Sequence, residues 1–329
     1  MSEKKSTYLE AISQAIREEM RRDEAVFLLG EDVGTYGGAF KVSAGLLEEF
    51  GSERVIDTPM AEAAIIGSAV GAALMGMRPI AEMQFIDFIT CGFDQIINMA
   101  SKMYWRVGMP VPIVIRGPAG GGTKGGPFHS SSPEAWFFHT PGMKVVMPST
   151  AYDAKGLLKA AIRDNNPVLY LEHKLLYRVP ALREVLPEED YVVPLGKAAV
   201  RREGEDMTIL TYGAMVYQCL QAAHVLEEED DLEVEVIDLR TITPLDREMI
   251  MASVKRTNKV LIVHEDTLTG GIGAELAALL ADGLFEYLDG PITRVAAPDV
   301  PFPYAPTLEA GYLPNAEKIL SAARKLAAY

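Results

Sequence analysis

Short apolar runs rich in β-branched residues alternate with stretches of helical periodicity from one end of the chain to the other. This alternation confines the fold to the α/β class with largely parallel sheets. Residues 7–22 read as a helix with Leu9, Ile12, Ala15, Ile16 and Met20 on one side. Strands are expected over 25–29, 55–57, 79–85, 111–115, 145–147 and 168–172, and helices from Glu62 onward, over 93–104 and over 152–163. Between 177 and about 194 the periodicity lapses and Pro and Glu accumulate, which reads as a linker. A second series follows, with strands over 207–211, 234–238, 260–263 and 292–295 and helices near 216–226, 246–255, 273–281 and 316–328. A chain of 329 residues exceeds one ordinary domain. Two are expected, 1–190 and 191–329.

Charge and cysteine content narrow the function classes. The formal charge of −15 repels phosphate backbones and anionic membranes, and no basic block interrupts it, so a nucleic-acid role is excluded. The two cysteines, Cys91 and Cys219, form no CxxC, which argues against a disulfide framework or a Cys-based zinc site and fits a reducing cytoplasm. The start, Met1 to Lys5, leads into a helix and lacks the apolar centre of a signal peptide. Residues 63–77 are uncharged and contain Gly67-x-x-x-Gly71, but they fall short of a membrane span and are bracketed by Glu62 and Arg78. They read as a buried helix that admits close backbone approach. No membrane association is expected.

Three local signals carry chemistry. In Asp57-Thr58-Pro59-Met60-Ala61-Glu62, Thr58 fits an N-cap and Pro59 a first helical turn, so Glu62 falls where the helix dipole favours a carboxylate. The plain reading is helix stabilisation. The functional one is a shielded carboxylate that hydrogen-bonds or protonates a ring nitrogen. A glycine-dense run from Gly117 to Gly126 precedes Phe128-His129-Ser130. It is not GxxxxGK[ST], so no P-loop is present; it is either a surface loop or a loop that brings His129 to a reaction. Gly270-Gly271-Ile272-Gly273 opens a helix after a strand as a dinucleotide fingerprint would, but Leu276 stands where the third glycine belongs, so helix–sheet packing is the default. His139, His173, His224 and His264 are isolated and read as structural.

Taken in order, several segments resemble the β subunits of thiamine-diphosphate-dependent 2-oxo acid dehydrogenases. They are Gly30-Glu31-Asp32-Val33-Gly34, Asp57-Thr58-Pro59-x-x-Glu62, Arg78-Pro79-x-x-Glu82-x-Gln84-Phe85 and Phe93-Asp94-Gln95. Further along stand His129-Ser130, Pro141-Gly142-x-Lys144-Val145-Val146, Asp238-Leu239-Arg240-Thr241 and Asp299-x-Pro301-x-Pro303-Tyr304. The resemblance implies a pyrimidine-binding domain followed by a transketolase C-terminal-like domain, assembled with an α subunit as an α2β2 heterotetramer.

By the same resemblance, Glu62 bonds N1′ of the cofactor's aminopyrimidine and favours the imino tautomer that takes the thiazolium proton. Phe88 packs on the pyrimidine, with Gln84 and Phe85 at the same strand end. His129 serves acyl transfer to the lipoyl arm of a dihydrolipoyl acyltransferase. Glu31 and Asp94 line a polar tunnel with Glu62. Asp164 and Asn166, with the carbonyls of Ile113, Ala161 and Ile162, match a potassium site of some members. No Gly-Asp-Gly occurs, so the diphosphate and Mg²⁺ are assigned to the α subunit. Pyruvate, branched-chain 2-oxo acids and acetoin stay open as substrates. A scaffold subunit that docks the acyltransferase core and a dinucleotide oxidoreductase are the rival readings.

Overall fold

The computed structural model describes residues 5–329. Two compact units result, one from residues up to 119 together with 136–195, the other from 120–135 with 196–329. The first unit is therefore not contiguous. The glycine-rich segment, which sequence position assigned to the first domain, belongs by its packing to the second.

In the first unit, α1 (Tyr8–Arg22) opens on a full capping box, in which Thr7 accepts from the Glu10 N–H and Glu10 reaches back to the Thr7 N–H. It is followed by β1 (Val26–Gly30), β2 (Val55–Asp57), α2 (Glu62–Leu74), β3 (Arg78–Glu82) and β4 (Val114–Ala119). Then come β5 (Lys144–Val146), α3 (Ala151–Arg163) and β6 (Val168–His173). These strands lie in the order β5-β6-β4-β3-β1-β2, all parallel. Ile12, Ile16 and Met20 of α1 are buried, and α1 packs along α3, where Arg163 donates to the buried Glu19 at 2.6 Å.

The second unit contains β7 (Ala199–Arg202), β8 (Met207–Thr211), α4 (Met215–Asp230), β9 (Val234–Asp238) and α5 (Arg247–Thr257). It continues with β10 (Val260–Thr267), α6 (Ile272–Leu284), β11 (Thr293–Ala297) and α7 (Ala316–Ala327). The order is β11-β10-β8-β9-β7, parallel except for β7, an antiparallel edge. At Gly271 and Gly273 any Cβ would stand 2.6 Å from the ring of the buried His264. The glycines of the incomplete fingerprint thus make room for a histidine under α6.

Five expectations change. First, α2 begins at Glu62 with Ala61 as its uncapped N-cap, so Thr58 is no cap and Pro59 lies outside the helix. Second, α2 buries only one face, through Ile65, Ile66, Ala69, Val70 and Ala73, and leaves Ala63, Ala64, Ser68 and Gly71 bare. Ala63, Ala64, Ser68 and Gly71 are therefore not enclosed among the described residues. Third, the helix expected over 93–104 is replaced by a π turn (Gln95–Ala100) and a short α-helix (Met103–Val107), after a 3₁₀ segment (Ile86–Gly92). Gly92 ends the 3₁₀ segment where it meets α2. A Cβ there would fall 2.3 Å from Ile66, so the chain is drawn against α2 and must re-wind beyond it.

Fourth, residues 177–194 are fastened to the first unit. Tyr177 is buried and donates to Glu172 at 2.7 Å, and Asp190 takes two bonds from Arg163 at 2.9 and 3.0 Å. Charged and aromatic anchors of this kind leave no periodic trace. Fifth, the strand expected over 111–115 starts later, at Val114, and runs to Ala119. Pro118 is tolerated because β3 pairs only as far as Arg116, so no ladder bond is lost on that side.

Across β3, β4 and β6 lies a buried charge cluster. The Arg116 guanidinium, 1% exposed, bonds both carboxylate oxygens of Glu172 and pairs with Glu82, while the Tyr177 hydroxyl adds a further donor to Glu172. Burial pushes the Glu82 carboxyl up and Arg116 offsets it; the two acids in turn raise the Arg116 pKa well above its usual range. Arg116→Ala should cost about 3–5 kcal/mol in urea unfolding at pH 7, because two like charges are left buried together. Those acids would then take up protons on folding, so the deficit should narrow as the pH falls towards the ordinary carboxylate range. A loss under about 1 kcal/mol would show that the cluster carries no weight.

Candidate active site

The carboxyl ends of three neighbouring strands, β3, β1 and β2, each empty into a segment expected to carry chemistry. In a doubly wound sheet this is where ligands bind. From β1 comes Glu31-Asp32, from β2 the run to Glu62, and from β3 the stretch Gln84–Phe88. The β1 loop is folded back by Asp57, which accepts from the Gly34 and Thr35 N–H groups at 2.6 and 3.3 Å. Asp32 adopts φ 56°, its carbonyl accepts from Gly38 at 2.8 Å, and its carboxylate accepts from Gln84 Nε2 at 3.3 Å. The β1 and β3 loops are thereby tied together.

Glu62 is the first helical residue of α2 and is half-buried, so the unpaired N–H groups of the helix start stand behind its carboxylate. Glu31 is 8% exposed and lies close enough to feel Glu62. Its carboxyl is held above the ordinary value first by burial, then by the charges of Glu62 and Asp32. Two buried oxygens flanking α2, Thr58 Oγ1 and Gln95 Oε1, have no hydrogen-bond partner within the described chain. A cavity of about 370 Å³ opens beside Thr58 between α2 and the strands β1 and β2, lined by Leu29, Ile56, Thr58, Pro59, Ile65 and Ser68. The Phe85 ring meets Phe40 edge-on at 5.4 Å, and Phe88 N–H closes a turn onto the Phe85 carbonyl at 3.2 Å. Asp94 is exposed and accepts from Asn98 at 2.6 Å.

His129 lies in the second unit, half-buried, where its N–H reaches the Gly126 carbonyl at 3.4 Å. Behind this loop is an acidic cluster that no local sequence signal announced. Glu134 is fully buried, accepts from the Tyr212 hydroxyl at 2.7 Å, and is pushed up to about 8 by burial and then by Asp266. Asp266 itself is raised to about 6, chiefly by burial. Only the strand–loop crossing of the fold brings residues this distant together.

Ile113, Ala161, Ile162, Asp164 and Asn166 converge at the end of α3, where several of their oxygens already have donors. Arg78 donates to the Ile162 and Asp164 carbonyls at 2.9 Å each, Lys144 pairs with the Asp164 carboxylate, and Val168 N–H takes the Ile113 carbonyl at 2.9 Å. The chain's own cations supply the charge here. No group of three or more His, Cys, Asp or Glu side chains among the described residues is arranged to hold a metal, and no described helix is long and apolar enough to cross a membrane.

Residues 4–180 match the family model for the transketolase pyrimidine binding domain, and residues 196–319 that for the transketolase C-terminal domain. The chain is 53% identical over 326 residues to the 2-oxoisovalerate dehydrogenase subunit beta of Bacillus subtilis, covering 98% of this chain and 99% of that one. The chain belongs to the transketolase-like β subunits of 2-oxo acid dehydrogenases. This β subunit is also 46% identical to the pyruvate dehydrogenase E1 component subunit beta of Bacillus subtilis, covering 97% and 98% of the two chains. It shares 46% with the mitochondrial human counterpart, covering 97% and 90%. A split-gene transketolase, solved as an inactive β4 tetramer, superposes with a TM-score of 0.80 at 24% identity over 98% of both chains, a likeness of fold.

Glu62→Gln in this β subunit should lower the Glu31 titration midpoint, as seen in carboxyl ¹³C shifts, because one of the two charges that raise it is gone. The ionisation of Glu31 opposes folding above the ordinary carboxylate range, and that penalty fades on acidification. A midpoint that stays in place would separate the two carboxylates.

Proposed function

We propose that this chain is one half of a thiamine-diphosphate-dependent 2-oxo acid dehydrogenase. With an α subunit it decarboxylates the acid and passes the acyl group to a lipoyl arm. The observation that carries the reading is Glu62 at the start of α2, its charge felt by Glu31, at the same end of the sheet from which the Gln84–Phe88 segment departs. Branched-chain 2-oxo acids are favoured over pyruvate, since likeness is greater to the 2-oxoisovalerate subunit than to the pyruvate subunit of one organism.

The residues present fit an aminopyrimidine. A carboxylate backed by a helix start can hold a proton at a ring nitrogen, aromatic side chains offer a face for a planar ring, and Thr58 and Gln95 carry oxygens that lack partners. When bound, thiamine diphosphate supplies the nucleophilic carbon and the electron sink for decarboxylation. Glu62 holds the N1′ proton, Phe85 and Phe88 exclude water from the ring, and Gln84 orients the polar edge. Glu31 and Asp94 extend the acidic path away from Glu62. His129 delivers and accepts the proton of the acyl-transfer step at its imidazole nitrogen.

The missing Gly-Asp-Gly assigns diphosphate and Mg²⁺ to the α subunit. The exposed apolar surface supports the need for such a partner. Met60 and Met75 flank the bare face of α2 at 82% and 84% exposure, and Trp105, on the short helix beyond, is 93% exposed. Docking of the acyltransferase core is assigned to the second unit.

The purified chain should be inactive alone and turn over 3-methyl-2-oxobutanoate when its α subunit and thiamine diphosphate are added. Glu62→Ala in the assembled enzyme should slow proton exchange at the thiazolium carbon by at least about a hundredfold, as measured by quenched-flow NMR, with assembly intact. Wild-type exchange in that variant would remove Glu62 from its role.

A further inference from the structure

The glycine-rich loop is held by two devices within the second unit. The first is electrostatic. Gly121 N–H donates to Glu265 Oε1, and the Gly122 and Lys124 N–H groups donate to Glu309 Oε1 at 2.9 and 3.3 Å. Both carboxylates are buried, at 6% and 5% exposure. Positive φ at Gly120, Gly122, Lys124 and Gly126 turns successive N–H groups to a common side, the geometry that makes a nest for an anion. Here the anions are the chain's own side chains.

The second device is steric. A Cβ at Gly121 would lie 2.3 Å from the Phe302 ring and one at Gly126 2.3 Å from the Tyr304 ring, so both rings rest directly on the loop's Cα atoms. The carboxylate at 265 comes from β10, and the rings at 302 and 304 and the carboxylate at 309 from one stretch after β11; all grip the ten residues that lead to His129.

We propose that Glu265, Glu309, Phe302 and Tyr304 are positioning residues that fix the loop carrying His129, making the second unit a determinant of acyl transfer. This rests on the role given to His129 above. The fixed loop presents the imidazole in one orientation, so acyl transfer to the lipoyl domain depends on the grip, whereas the decarboxylating groups of the first unit do not.

Lys124 is the only Lys or Arg between Arg116 and Lys144, so trypsin reads the loop directly. In the enzyme assembled with its α subunit, Glu309→Ala should be cut after Lys124 about tenfold faster than wild type, since local opening follows the lost bonds. The kcat for acylation of a lipoyl domain should fall about tenfold relative to decarboxylation measured with an artificial electron acceptor. Glu309→Gln keeps an acceptor oxygen and should restore both readouts most of the way. Tyr304→Ala, at a ring that is 72% exposed, should act in the same direction without risk to folding and decides the matter if Glu309→Ala fails to fold. Unchanged cleavage in the soluble variants overturns the grip. Faster cleavage with unchanged acylation overturns the positioning claim. If His129→Ala also leaves acylation unchanged, the fault lies with the role of His129 and not with the grip.

Discussion

The first unit is organised around one buried guanidinium. Arg116 stands on a central strand and binds an acid from the strand on either side, Glu82 and Glu172, near the ends where the loops of the site depart. A buried ion cluster adds little net stability, since desolvation consumes most of the attraction. It does forbid alternatives, because a slip of either neighbouring strand would leave a charge unpaired in the interior. Tyr177 joins through its hydroxyl, and its ring lies 5.3 Å from Phe40, which in turn meets Phe85. A chain of contacts thus runs from the charge cluster to the aromatic segment that is assigned to the cofactor.

Much of this was legible from periodicity. Strands 207–211 and 234–238 stand where the sequence placed them, buried along their whole length within a parallel pair, and 55–57 stands as the short edge strand. The ends of elements were less readable, since charge and backbone geometry decide them. Arg116, Gly117 and Pro118 are poor strand residues by composition, yet they extend β4 because Arg116 finds acids on both sides. Thr58-Pro59 has the grammar of a helix start, yet the helix waits until Glu62 because β2 has only just ended and Thr58 N–H bonds the Gly30 carbonyl at 2.9 Å.

The site shows the same division. Glu31, Glu62 and the Gln84–Phe88 segment are each marked by a local motif, and the sheet order brings their strand ends side by side. Glu134, Glu265, Asp266 and Glu309 carry no such mark. They are acids in unremarkable surroundings whose meaning comes from burial and from the loop they face. A pattern along the chain reports neighbours three or four residues away; a carboxylate that receives an amide from 187 residues upstream lies beyond it.

The path of the chain through the two units limits how the gene could be divided. Residues 120–135 leave the first unit, take their packing from the second and return at Trp136. The second unit is therefore built from two stretches of sequence, with sixty residues of the first between them. Cleaving the coding sequence after residue 195 would produce an amino-terminal fragment that keeps the histidine but loses the acids and rings that hold its loop, and a carboxyl-terminal fragment with acids facing no amides. Exchange of modules between relatives would have to carry the loop and the second unit across together.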